Sequence, residues 1–317
     1  MPRKLRFVPE GGSLVEITCR VIGGEFLLEP CPAVNELIIG IIGRAQRLHD
    51  MEICSLVFLT SHYHLLVRAK DAGQLADFMG FVNSNISKEM NARLGRRGPF
   101  WGRRYDAILV SDEGAAQLAR LRYQLSHGVK ENLVEDPRHW PGVSSARALL
   151  EDGKLSGYWF DRSKENAAKR RGKKLEKLTY ATRETVYLSP LPFLRQQGLS
   201  ESAMKDLLEG MIEEIIEQGR RARSATGSQH DAAAHGRYSG TGSKTQRRRP
   251  KRSPAPRFHA WERQERERLI RAYQTFASAY YRASTAFSSG DRSVLFPKLC
   301  FPPRLPFYRG VQAQANS

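Results

Sequence analysis

Two apolar runs, 52–59 (EICSLVFL) and 63–69 (YHLLVRA), are separated only by Thr60–Ser61–His62, and this spacing limits the fold more than any other feature. Both runs are rich in β-branched and aliphatic residues and read as strands. A connection that short cannot hold a crossover, so the two strands pair antiparallel. The residues around them supply partners. Residues 13–22 (SLVEITCRVI) alternate in the manner of a third strand. Residues 32–49 open with Pro32 and space Val34, Leu37, Ile38, Ile41 and Ile42 as one helical face. Residues 73–94 form a long amphipathic helix and 105–110 (YDAILV) a short strand. Ser111–Asp112–Glu113 then reads as the cap of a helix over 114–127. The order strand, helix, strand, strand, helix, strand, helix predicts an α+β domain over 1–150, an antiparallel sheet sandwiched with helices.

After this domain the pattern predicts helical C-terminal additions. A short helix is expected at 144–151 and a basic helix-prone stretch at 161–177. A helical extension spans 151–218, with a helix at 200–218 capped by Ser200. Residues 219–257 are rich in Gly, Ser, Ala, Arg and Pro and nearly empty of large apolar side chains. Such a stretch buries too little surface to offset its ordering entropy, so it reads as a disordered basic linker. Residues 258–317 read as a polar helix with aromatic stops at Trp261, Tyr273, Phe276, Tyr280 and Tyr281, then a proline-broken tail.

Charge narrows the function. The chain carries 51 Lys+Arg against 33 Asp+Glu, a net +18. A surplus of that size attracts polyanions, nucleic acid first among them. It is unevenly placed: residues 1–218 hold a net +3, residues 219–257 a net +10 and residues 258–317 a net +5. The linker is therefore either a solvated spacer or a phosphate-attracting arm centred on QRRRPKR. No run of eighteen apolar residues is present to span a membrane. The start MPRKLRFVPEGG lacks an apolar signal core. The cysteines Cys19, Cys31, Cys54 and Cys300 form no CxxC pair, which argues against a disulfide framework or a cysteine zinc site. A cytoplasmic, reducing setting is expected.

Candidate chemistry lies in two places. In a strand, residues two apart point the same way, so His62 and His64 can face one metal ion while Tyr63 faces the opposite side. By itself the pair is a weak signal, since a chance His-x-His is common. On the helix at 114–127, Tyr123 and His127 are one turn apart on the same face. Tyrosine can serve as a covalent nucleophile, and His127 can complete a three-ligand metal site. A helix tyrosine is more often an ordinary packed aromatic.

The two signals combine in a resemblance. SHYHLLV after an apolar strand, followed by ARLRYQLSHGVKENLVEDPRHWPGVSSARALL, resembles the single-tyrosine HUH transposases, closest to the REP-associated tyrosine transposases. The likeness covers roughly residues 1–150. It includes the opening PRKLRF, the FMGFVNSNISKEMN helix, the FWGRRYDAILV strand and the WPGVSSARALL exit. The resemblance implies that His62 and His64 bind a divalent metal, Mg²⁺ or Mn²⁺. It implies that Tyr123, in RYQLSHGVKENLV where the family usually reads RYIxxNPVRAGLV, is the nucleophile. His127 stands where the family often has Asn or Gln, and Gly128 where it usually has Pro. The implied reaction is metal-dependent cleavage and rejoining of single-stranded, hairpin-forming DNA through a 5′-phosphotyrosine, by a monomer or homodimer, in the bacterial cytoplasm at the nucleoid. The target would be a short palindrome with a neighbouring tetranucleotide. Arg3, Lys4, Arg6, Arg103 and Arg104 are the expected phosphate contacts, and Trp101 and Tyr105 the expected base-stacking surfaces. A catalytically inactive hairpin DNA- or RNA-binding protein of the same fold is the alternative. A ribosome- or RNA-associated basic protein is a third reading, weakened by the lack of an RNA-reading aromatic pair on adjacent strands.

Overall fold

A computed structural model describes residues 5–172, 176–226 and 257–303. The chain divides into two units, Met1–Arg266 and Glu267–Ser317. The first is α+β. Its sheet has the order β2-β3-β1-β4-β7, built from β1 (Ser13–Arg20), β2 (Glu52–Phe58), β3 (His62–Ala69), β4 (Asp106–Val110) and β7 (Arg257–His259). The expected hairpin of β2 and β3 is antiparallel, and β1 lies between β3 and β4, antiparallel to both. The sheet is nevertheless mixed, because β7 joins β4 in parallel.

Helices cover both faces. On one face lie α1 (Pro32–His49) and α2 (Ala72–Arg93). Pro32 starts α1, and Asp50 ends it in a left-handed conformation (φ 48°, ψ 48°). Asp71 caps α2 by accepting the backbone N–H of Gln74 at 2.8 Å. The apolar faces of both helices close over Val15, Ile17, Tyr63, Leu65 and Val67. The other sheet face, with Leu14, Val57 and Leu66, lies under α3 (Gly114–Leu125) and α6 (Glu201–Thr226) through Leu121, Leu208, Ile212 and Ile215. The stretch expected as a separate helical extension therefore helps to build this core.

Several elements differ from expectation. Residues 144–151 form turns rather than a helix. A second hairpin, β5 (Lys154–Phe160) with β6 (Ala181–Tyr187), lies on the outside of α1. Gly40 of α1 and Gly157 of β5 permit the contact: a Cβ on Gly40 would sit 2.1 Å from the Tyr158 carbonyl carbon, and one on Gly157 2.1 Å from the Glu36 oxygen. Arg44 and Arg47 of α1 both bind the Glu184 carboxylate across this interface. In the basic stretch, α4 (Arg162–Arg170) stops short of Gly172, whose φ is +70°. A short α5 (Pro192–Gln196) precedes α6. The helix α6 runs to Thr226, into the stretch expected as linker, and 227–256 lie outside the described residues. The predicted helix at 258–288 begins at Arg263 as α7 (Arg263–Ser288), because 257–259 are taken into the sheet. In the second unit, Phe296 contacts Tyr280 and Phe287 edge-on at 5.7 and 5.8 Å between ring centroids. Most of the proline-broken tail, from residue 304, also lies outside the described residues. Among the described residues no helix is long and apolar enough to cross a membrane.

Candidate metal centre and nucleophile

The site follows from strand alternation. In β3, Tyr63, Leu65 and Val67 face α1 and α2, which turns His62, His64 and Leu66 toward α3. Tyr63 is fully buried, stacks on Phe58 at 4.7 Å, and donates its hydroxyl to Asn83 Oδ1 at 2.6 Å. In the β1–β3 register Thr18 opposes His64 and Arg20 opposes His62. Leu14, Glu16, Thr18 and Arg20 thus share the α3 face with the two histidines. The helix α3 lies over this face, and the turn after it brings His127 down to the strand pair.

His62, His64 and His127 meet with one candidate ligand nitrogen from each, all within 4.8 Å of one another. The His64 and His127 rings stack at 4.3 Å, and the His62 ring lies 5.4 and 5.9 Å from them. Each ring is oriented from its Nδ1 side. Ser61 Oγ lies 3.1 Å from that of His62. Thr18 Oγ1 and Glu16 Oε1 lie 3.1 and 3.2 Å from that of His64. Glu131 Oε1 lies 3.0 Å from that of His127. A ring held at Nδ1 offers Nε2 to a metal, which is the usual way in which outer partners fix a ligating imidazole. The donor set therefore fits a divalent cation.

Tyr123 stands beside the triad, its ring 5.0 Å from His127 and 5.6 Å from His64. It is 38% exposed and so open to a large substrate. Two cations lie against its ring: the Arg120 guanidinium carbon at 4.3 Å and Lys130 Nζ at 3.8 Å from the centroid. Lys130 Nζ is also 3.1 Å from His127 Nε2. Glu16 is buried, with its second oxygen paired to Arg120.

Electrostatics follow from enclosure. Burial, then the charges of His64 and Arg20, push His62 down to about 3. Burial also lowers His127, against the opposing pull of its hydrogen bond to Glu131. Both rings are neutral near pH 7, the form that binds metal. Burial, reinforced by Glu16, raises Tyr123, so it rests as a neutral phenol. Burial lowers Lys130. Burial opposes the charge of Glu131, but its bonds to His127 and the Gly128 N–H outweigh that and hold its carboxyl below the ordinary value.

The expected DNA contacts are placed differently. Arg3 and Lys4 lie outside the described residues, and Arg6 is exposed. The loop bearing Arg103 and Arg104 is tied to the end of β1, with Gly102 N–H donating to Arg20 O at 3.0 Å and Ile22 N–H to Phe100 O at 2.9 Å. Since Arg20 opposes His62, this loop adjoins the strand end that carries His62. Arg103 pairs with Asp106, and the Arg104 guanidinium lies 5.4 Å from the Tyr105 ring centroid. Tyr105 itself is 9% exposed and belongs to the core, so it presents no open face for a base. Trp101 is half-buried, edge-on to Tyr63, and donates Nε1–H to the Asn83 carbonyl at 2.9 Å. These two aromatics serve the hydrophobic core, which competes with solvent for large rings.

Sequence reasoning missed Glu16, Thr18, Arg120, Lys130 and Glu131. Two signals were present. One is a lone carboxylate in the alternating strand SLVEITCRVI. The other is a carboxylate one helical turn beyond His127.

No protein-family model matches the chain, and no curated protein matches it. Among solved structures, a REP-associated tyrosine transposase bound to a REP hairpin is similar over 48% of this chain and 87% of its own, at 19% identity and a TM-score of 0.38. A Deinococcus radiodurans R1 protein assigned as a transposase by name is similar over 38% of this chain and 95% of its own, at 16% identity and a TM-score of 0.27. At such identities and TM-scores the likeness carries no activity across to this chain. Both are named as transposases.

Proposed function

We propose that the chain is a metal-dependent enzyme that cleaves and rejoins single-stranded, hairpin-forming DNA through a 5′-phosphotyrosine. The observation that carries this reading is the half-exposed Tyr123 beside three converging imidazoles, with cations on its ring. A divalent ion held by His62, His64 and His127, Mg²⁺ or Mn²⁺, would supply a Lewis acid for the charge that develops on the scissile phosphate. The remaining work falls to the chain itself. Tyr123 Oη attacks phosphorus, forming the phosphotyrosine bond as the P–O3′ bond breaks, and the departing oxygen takes up a proton to become a free 3′-hydroxyl. The phenol must lose its proton on attack, and Arg120 and Lys130 favour the anion electrostatically. The phosphotyrosine retains the ester bond energy, so a second 3′-hydroxyl can reverse the step without a nucleotide cofactor. Arg20 at the His62 end of the site, with Arg103 and Arg104 on the adjoining loop, makes that border basic and suited to the DNA backbone.

The test uses labelled single-stranded hairpin DNA with Mn²⁺. A covalent protein–DNA adduct is expected from the wild-type chain, and none from Tyr123→Phe or in the presence of EDTA. An adduct that survives in Tyr123→Phe removes the tyrosine from the reaction. Hairpin binding with no adduct under any metal assigns the chain instead to the non-catalytic reading.

A further inference from the structure

We propose that Glu16 is the positioning residue of this site, a single buried carboxylate that orients the His64 imidazole and, through Arg120, the Tyr123 phenol. The proposal rests on the reading of the triad as a metal centre and of Tyr123 as its nucleophile.

Glu16 lies in the middle of β1, with Val15 and Ile17 packed into the core on the opposite face. Its side chain is wholly shielded from solvent. A carboxylate is left in such a place only when its charge is compensated. Here the two oxygens have different partners. Oε1 is 3.2 Å from His64 Nδ1, and Oε2 pairs with the Arg120 guanidinium, itself only 16% exposed. An ionised carboxylate only accepts hydrogen bonds, so the proton of His64 sits on Nδ1 and its Nε2 lone pair is free for the metal. Thr18 Oγ1, 3.1 Å from the same nitrogen, narrows the ring's orientation further. On the other side, Arg120 is three residues before Tyr123 on α3, and its guanidinium carbon lies 4.3 Å from the tyrosine ring centroid. The cation that favours the Tyr123 anion is thus held by the carboxylate that fixes the metal-binding ring.

A purely structural ion pair, docking α3 onto the sheet, would also bury Glu16 and Arg120. It would place no requirement on the His64 tautomer or on metal affinity. Two measurements on the full chain separate the cases. Long-range ¹H–¹⁵N correlation on the wild-type protein reads the His64 tautomer without any variant, and an Nδ1–H ring is expected. An Nε2–H ring overturns the proposal. Calorimetric titration with Mn²⁺ is then compared across wild type, His64→Ala, Glu16→Gln and Arg120→Lys, each first shown to be folded by circular dichroism. Glu16→Gln is expected to weaken Mn²⁺ binding about 10- to 100-fold. Arg120→Lys is expected to leave it within about threefold, yet to slow adduct formation. Wild-type Mn²⁺ affinity in folded Glu16→Gln overturns the proposal. Undiminished affinity in His64→Ala instead overturns the metal reading beneath it, so the two failures are distinct.

Discussion

His62 shows how enclosure at the residue scale becomes a pH dependence. Its pKa of about 3 lies below the ordinary value of 6.5. Between those two values the unfolded chain binds a proton that the folded chain refuses, so stability is full above that window and falls as pH drops through it. At about 1.4 kcal/mol per pKa unit, the limiting loss is on the order of 5 kcal/mol. Thermal melts in chelator from pH 7 to pH 4 are expected to fall steeply for the wild type and less steeply for His62→Gln, which cannot take up the proton. Equal slopes would remove His62 as the cause. The His62–Tyr63–His64 face was legible in the sequence because strand alternation fixes it without tertiary information. Glu16 was not. On the same alternation rule a charged residue in a strand reads as facing solvent, and its burial depends on Arg120, which only the folded sheet brings near.

At the scale of elements, the contact of α1 with the β5–β6 hairpin depends on two glycines. Alanine in a helix interior gains about 0.5–1 kcal/mol over glycine, while forcing atoms into a filled space costs about 1–3 kcal/mol. At Gly40 the obstructing atoms are backbone, so the second effect wins. Gly40→Ala is expected to destabilise the protein by at least about 1 kcal/mol in urea denaturation. Gly80 of α2, which has open space around its would-be Cβ, is the control. Gly80→Ala should stabilise by about 0.5–1 kcal/mol. Two destabilised variants, or two stabilised ones, would contradict this account. The first seven strands and helices could be read from the sequence because each has a clear period or cap. The β5–β6 hairpin could not, since a long basic stretch separates KLSGYWF from ATRETVY and no short turn announces their pairing. With three residues, β7 is too short to show any period.

At the scale of the whole molecule, net charge pointed to a polyanion without locating the chemistry. The surplus is concentrated in 219–257, whereas the triad and Tyr123 lie in the nearly neutral 1–218. Replacing Arg247, Arg248, Arg249, Lys251 and Arg252 with serine is expected to weaken hairpin binding at low salt. The slope of log affinity against log salt should become shallower by about 0.7 for each single-strand phosphate that these side chains no longer neutralise. An unchanged slope would make this stretch a spacer. The parallel pairing of β4 with β7 has a consequence for biogenesis. Until residue 259 has left the ribosome, β4 is an edge strand whose outer ladder groups from Ile108 to Ser111 lack their β7 partners. An open edge is a template for another chain. Closure must also wait for a contact of very long sequence separation, which is slow to form. The nascent protein therefore passes through a period of self-association risk that ends when the Arg257–His259 strand docks. A chain cut after Thr226 should elute from a sizing column as soluble aggregate where the full chain does not.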